Sequence, residues 1–128
     1  MEIKTGLKYT ESHEWIKVED SIAIVGITDY AQDALGDIVF VEVPEVERKV
    51  SKGAEVVNIE SVKVAEAVYA PVSGTICEIN EQLEDEPELL NEAPYDTFIY
   101  SIEMTDPSEL NGFMDAAEYE EFINNSKE

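Results

Sequence analysis

Glu60-Ser61-Val62-Lys63-Val64-Ala65-Glu66-Ala67-Val68-Tyr69-Ala70-Pro71-Val72-Ser73-Gly74 reads as two short strands folded back at a tight turn, with Lys63 near the tip. On the way in, Val57, Ile59 and Ser61 alternate with Val56, Asn58 and Glu60. On the way out, Val64, Glu66 and Val68 alternate with Ala65, Ala67 and Tyr69. Period-two patterning rich in β-branched residues is the mark of strands. Pro71 and Gly74 then close the second strand with a turn. The tip lacks the Asn-Gly or Asp-Gly pair that two-residue hairpins favour. Lys63 is also isolated in charge: no Lys or Arg follows it until Lys127, while Glu60 and Glu66 stand close by. The residues alone therefore give an exposed lysine on a hairpin.

Working outward, Leu7 to Thr28 contains two strand-like runs, around Trp15-Ile16-Lys17-Val18 and Ile22 to Ile27, split by Glu19-Asp20-Ser21. This predicts another hairpin. His13-Glu14-Trp15 invites a catalytic reading but has no nucleophile or metal partners, so Trp15 is read as core packing with polar neighbours. Thr28 to Gly36 predicts a short helix near residues 29–35, N-capped by Thr28 or Asp29 and closed by Gly36. Asp37 to Val43 is apolar on both sides, which predicts a strand covered on both faces and ended by Pro44. Lys52-Gly53 turns the chain into the central hairpin. Thr75 to Ile79 is the next strand, with Cys77 read as a small buried residue. The acidic run Asn80 to Glu92 reads as a solvated loop. Asp96 to Met104 is a final strand. Asp106-Pro107 opens a short helix broken near Gly112. Asp115 to Ile123 is an amphipathic helix with Ala116, Tyr119, Phe122 and Ile123 on its core face, and Asn124 to Glu128 is a frayed tail. Many short strands at this spacing predict a mainly β flattened barrel or sandwich of antiparallel strands with C-terminal helices.

The chain has 128 residues, which suits one domain over 1–128, with a core at about 6–104 and a helical segment at about 107–124. Eight Lys and Arg against 30 Asp and Glu give a net charge of −22. Such a surface repels nucleic acid and anionic membrane, favours a monomer, and steers toward basic partner surfaces. One cysteine excludes an internal disulfide, one cysteine and one histidine cannot build a structural zinc site, and a catalytic thiol would have only His13 as its partner. No stretch approaches a membrane span, and the N-terminus lacks a signal-peptide core, which points to the cytoplasm.

Glu60-Ser61-Val62-Lys63 followed by Tyr69-Ala70-Pro71-Val72-Ser73-Gly74 resembles the lipoylation site of the glycine cleavage H-protein family, within the wider lipoyl and biotinyl carriers. Gly26-Ile27-Thr28-Asp29-Tyr30-Ala31-Gln32, Leu35-Gly36-Asp37-Ile38-Val39-Phe40-Val41 and Pro87-Glu88-Leu89-Leu90-Asn91-Glu92 extend the resemblance from about Gly6 to Ile123. It implies the carrier-domain fold and lipoate joined by an amide to Lys63. It also implies recognition of that site through Glu60 and Gly74, and a cleft at Ser12 and Glu14 that shelters the loaded arm. The partners implied are a pyridoxal-phosphate glycine decarboxylase (P-protein), a folate-dependent aminomethyltransferase (T-protein), dihydrolipoyl dehydrogenase (L-protein), and a lipoate ligase or a lipoyl or octanoyl transferase. On this reading the chain is a non-catalytic carrier of the aminomethyl group of glycine.

Three departures accompany the match. Glu66-Ala67 replaces a Ser-Asp type pair, so an acidic group of the cleft is expected to be lost at Ala67. Pro94 to Ile99 is a shortened Pro-Tyr-Gly-x-Gly-Trp-Leu segment, and Ser101 and Glu103 stand where basic residues are usual. Two other readings remain: a lipoate-relay carrier serving other lipoyl enzymes, and an unmodified acidic protein-binding domain.

Overall fold

The computed structural model describes residues 2–125. Tyr9 and its neighbour form a two-residue strand, β1 (Lys8–Tyr9), which pairs with β2 (Glu14–Glu19). A tight turn through Asp20, at φ 57°, joins β2 to β3 (Ile22–Ile27) in a regular antiparallel register from Glu19↔Ile22 to Glu14↔Ile27. Left-handed backbone at the loop residue is what matches the twist of the flanking strands, and Asp tolerates it. The helix α1 (Asp29–Leu35) begins where its cap residue predicts: the Ala31 amide donates to Thr28 Oγ1 at 3.2 Å. It ends at Gly36, whose φ of 78° favours glycine.

The chain then crosses to a second sheet. β4 (Ile38–Glu42) is followed by β5 (Lys49–Val50), which returns to the first sheet, and by the central hairpin of β6 (Glu55–Ser61) and β7 (Ala65–Tyr69). β8 (Gly74–Ile79), two single-turn helices α2 (Gln82–Asp85) and α3 (Leu89–Glu92), and β9 (Tyr100–Met104) complete the body. A 3-10 helix (Pro107–Gly112) capped by Asp106 and the helix α4 (Ala116–Asn125) follow. The first sheet has the order β1-β2-β3-β9-β8-β5 and the second β4-β6-β7, all pairs antiparallel. The fold is a two-sheet sandwich and not a closed barrel. Ile16, Val25, Ile76 and Ile102 of one sheet meet Val41, Val57, Ile59 and Val68 of the other in the main core. Tyr9, Trp15, Tyr95, Tyr119 and Ile123 form a second, largely aromatic cluster beneath α4.

Several local expectations are corrected. β4 is not covered on both faces. A bulge between Ile38 and Phe40 places Ile38 and Val41 inside while Val39 and Phe40 stand exposed. One extra residue reverses the alternation from which the double coverage was read. A second bulge, between Ile76 and Glu78, turns Cys77 outward, so this thiol is exposed and not buried. The acidic run after Asn80 is not a solvated loop. It is two helical turns that bury Leu83 and Leu90 completely while their carboxylates face water. β9 begins at Tyr100 and not at Asp96, because Pro94 to Asp96 form a turn. Asn124 and Asn125 continue α4; Ser126 to Glu128 lie outside the described residues.

Candidate functional site

The hairpin tip supplies the missing turn chemistry from Ser61. Its Oγ accepts from the Val64 amide at 3.1 Å and from the Lys63 amide at 3.4 Å, and its own amide donates to the Val64 carbonyl at 2.8 Å. A hydroxyl that caps its own turn substitutes for Asn-Gly. The Val62 amide donates to the Asp37 carbonyl at 3.0 Å, which ties the tip to the start of β4. Lys63 is exposed, and its side chain runs beside the α1–β4 junction. A Cβ built on Gly36 would stand 3.4 Å from Lys63 Cε. That junction is itself held by Asn91, whose amide group accepts from the Ile38 amide at 2.9 Å and donates to the Gly36 carbonyl at 2.8 Å. Among the described residues the single ion pair joins Lys17 and Glu19, so Lys63 is not engaged by the carboxylates around it.

Beside the hairpin opens a cleft of about 200 Å³. Ser12, His13 and Glu14 form one wall, Tyr30, Ala31, Ala34 and Leu35 of α1 another, and Val64, Glu66, Ala67 and Val68 of the hairpin a third. The structure thus brings together Ser12 and Glu14, the two residues expected to line an arm-sheltering cleft, and sets them next to the strand that follows Lys63. Glu14 is 2% exposed. Its Oε1 accepts from Thr10 Oγ1 at 2.6 Å and from Ser12 Oγ at 2.7 Å. Burial raises the Glu14 pKa above the ordinary carboxylate value, while the two hydroxyls and the Tyr69 amide oppose that shift. A carboxylate so held is an anionic acceptor in a mostly apolar cleft, where a cationic nitrogen is a suitable partner. Burial lowers the His13 pKa, so the only imidazole in the cleft is neutral near pH 7.

The other sequence-derived residues fall elsewhere. Glu60 pairs with Phe40 and Ala65, one place along from Ile59 and Glu66, and so faces the opposite side of its sheet from the cleft. Gly74 lies in the other sheet, opposite Val50 and Met104. A Cβ there would come within 2.6 Å of Ile102 Cγ2 and closer still to the Glu103 carbonyl oxygen, so Gly74 is required by strand packing. The cleft's acidic character does not disappear at Ala67, because Glu66 lines the same wall. The shortened segment keeps two structural bonds: Trp15 Nε1 donates to the Pro94 carbonyl at 2.9 Å, and the Tyr95 hydroxyl donates to the Glu2 carbonyl at 2.8 Å. Sequence reasoning missed the α1 wall. Its signal is present as Ala31, Ala34 and Leu35, an i, i+3, i+4 apolar stripe.

A sequence model described as glycine cleavage H-protein matches residues 7–126. The chain belongs to the glycine cleavage H-protein family. The H-protein of Alcanivorax borkumensis is 52% identical over 120 residues, covering 93% of this chain and 94% of its own length. That of Alkaliphilus oremlandii is 50% identical, covering 95% and 96%. The crystal structure of the H-protein from Mycobacterium marinum superposes with a TM-score of 0.85 at 34% identity, over 97% of this chain and 98% of that one. The H-protein family is the lipoyl carrier of glycine cleavage, and the two-sheet architecture agrees with the Mycobacterium marinum structure. Among the described residues, no helix is long and apolar enough to cross a membrane, and no cluster of His, Cys, Asp or Glu could hold a metal.

Proposed function

We propose that Lys63 carries lipoate as an amide and that this chain presents the arm in turn to the P-, T- and L-proteins of glycine cleavage. The observation that carries the reading is the cleft at Ser12 and Glu14 opening beside the hairpin whose tip bears an exposed, unpaired lysine. The fit to the group is favourable on three counts. The Lys63 amine is free for acylation, its stem lies along a glycine that leaves it room, and the cleft is largely apolar with a carboxylate at its inner end. When attached, the lipoyl group supplies a dithiolane whose sulfur carries the aminomethyl unit. The chain's own residues bind and shelter. Ser12 and Thr10 fix Glu14, Glu14 accepts from a cationic amine, and Leu35, Ile59 and Val68 exclude water from it. The chain does no bond chemistry; it raises effective concentration and delays hydrolysis. Glu60 serves the attaching lipoate ligase or lipoyl or octanoyl transferase from the outer face of the hairpin, and Gly74 keeps that hairpin's continuation in register.

The test is intact mass of wild-type and Lys63→Ala chains after incubation with a lipoate ligase, ATP and lipoate. One lipoyl increment on wild type and none on Lys63→Ala is expected. No increment on wild type, with another H-protein modified in parallel, would overturn the reading and leave an unmodified acidic binding domain. Glycine decarboxylase exchange with the lipoylated chain then separates glycine cleavage from a lipoate relay.

A further inference from the structure

The cleft walls meet at a group that belongs to neither. Tyr119, on α4, is fully buried, and its hydroxyl lies 2.8 Å from His13 Nδ1 and 2.7 Å from Thr28 Oγ1. His13 forms part of the first wall. Thr28 caps α1, which forms the second, and its Oγ1 already accepts from the Ala31 amide. The Tyr119 ring is fixed by parallel stacking on Tyr9, with centroids 4.6 Å apart and planes inclined by 6°. His13 is held at φ 69°, an uncommon conformation for a residue other than glycine, with its ring 4.5 Å from that of Tyr30.

We propose that the Tyr119 hydroxyl is the positioning group of the cleft, joining its two walls through His13 and Thr28 and keeping the His13 imidazole neutral with Nδ1 as acceptor. This rests on the carrier reading for its purpose but not for its geometry. Counting protons gives the direction of the chain. Among the described residues the Tyr119 oxygen is the acceptor within reach of the buried Thr28 hydroxyl, so the Thr28 proton goes there and the Tyr119 proton goes to His13 Nδ1. Each of the two buried hydroxyls then has an acceptor. If His13 gained a proton at Nδ1, it would donate to Tyr119, Tyr119 would donate to Thr28, and the Thr28 proton would be left in a fully buried site without an acceptor. The linkage therefore opposes a charged imidazole, as burial of the ring does. The titratable groups facing His13 are Tyr30 and Tyr119 against its ring, with Glu14 and Glu66 on the walls of the same cleft. A neutral His13 leaves those carboxylates as the only charges the cleft offers to an incoming cation. The C-terminal helix thus acts on the site without lining it.

The wild-type chain can be examined directly, since it has a single histidine. Imidazole nitrogen shifts of the unlipoylated protein are expected to show one tautomer, protonated at Nε2, with Nδ1 accepting a hydrogen bond. Protonation at Nδ1, or a rapid mixture of tautomers, would overturn the proposal. Tyr119→Phe keeps the stacked ring and loses the link. Its His13 should lose the tautomer preference and titrate at higher pH than wild type, and an unchanged midpoint would overturn the proposal. Thr28→Ser, which keeps the hydroxyl, should preserve the wild-type spectrum. After lipoylation and loading, ammonia release from Tyr119→Phe should be faster by roughly fivefold, the factor one net hydrogen bond is worth. Equal release from both proteins would refute the positioning role. Failure of the lipoylation step itself would count against the carrier reading and leave the imidazole result standing.

Discussion

Gly74→Ala separates two explanations of one residue. The resemblance attaches Gly74 to recognition of the modified lysine, whereas in the structure its Cα is pressed against β9. The methyl of alanine would stand 2.6 Å from Ile102 Cγ2, 2.9 Å from the Glu103 carbonyl carbon and nearer still to its oxygen. Two of those three atoms are backbone, so rotating the Ile102 side chain leaves the clash with Glu103 in place. Overpacking a well-filled interior costs about 1–3 kcal/mol even where side chains can yield. Here β8 and β9 must part as well, and each ladder bond weakened adds about 1 kcal/mol. Alanine returns about 0.4–1 kcal/mol by restricting the unfolded chain. The expected loss is about 1–4 kcal/mol, a sizeable share of the 5–15 kcal/mol typical of such domains. Urea unfolding should show a lowered midpoint at unchanged slope. A loss below about 1 kcal/mol would refute the packing argument. At urea-free, low-temperature conditions where the variant is folded, Lys63 should be lipoylated at close to the wild-type rate. Its hairpin belongs to the other sheet.

Three further outcomes follow from the same geometry. Leu83→Ala removes a fully buried side chain from a single helical turn and should cost about 2–5 kcal/mol by chemical denaturation, although it sits in a polar, mostly acidic stretch. Because burial raises the Glu14 pKa, the folded chain holds that proton at pH values where the unfolded chain has released it. The resulting stability is fully present below the unfolded pKa and declines as pH rises through the folded one. Glu14→Gln cancels this slope, so the variant should gain on wild type as unfolding is measured from about pH 4 toward neutrality; a constant difference would contradict the assignment. Cys77 should react with an aromatic disulfide reagent in the folded protein, because it is exposed at a bulge. Its rate should rise above neutral pH, since partial burial, Glu103 and Glu78 raise its pKa.

What the sequence made legible was local. The α1 helix could be read because Thr28 and Gly36 sit at its two ends within one short window. The hairpins could be read because apolar, β-branched runs in β2, β3 and β6 are bounded by short polar turns. The errors at Val39 and Cys77 share one cause: a bulge adds a residue without altering composition, and the faces exchange beyond it. Leu83 and Leu90 were hidden because a four-residue helix is too short to display a 3.6-residue period. Ser12 and Glu14 were reached through family resemblance. The links from Tyr119 to His13 and Thr28 span 106 and 91 positions, and no local pattern encodes such a meeting.

The outermost strands of the larger sheet, β1 and β5, are only two residues long. A sheet border offers unpaired amides and carbonyls to any other chain, and borders this brief give a second copy almost nothing to zip onto. The 30 acidic residues of the chain add mutual repulsion, so this sheet is a poor template for pairing with a second copy. The longer borders lie in the smaller sheet, on the five-residue strands β4 and β7 that flank β6.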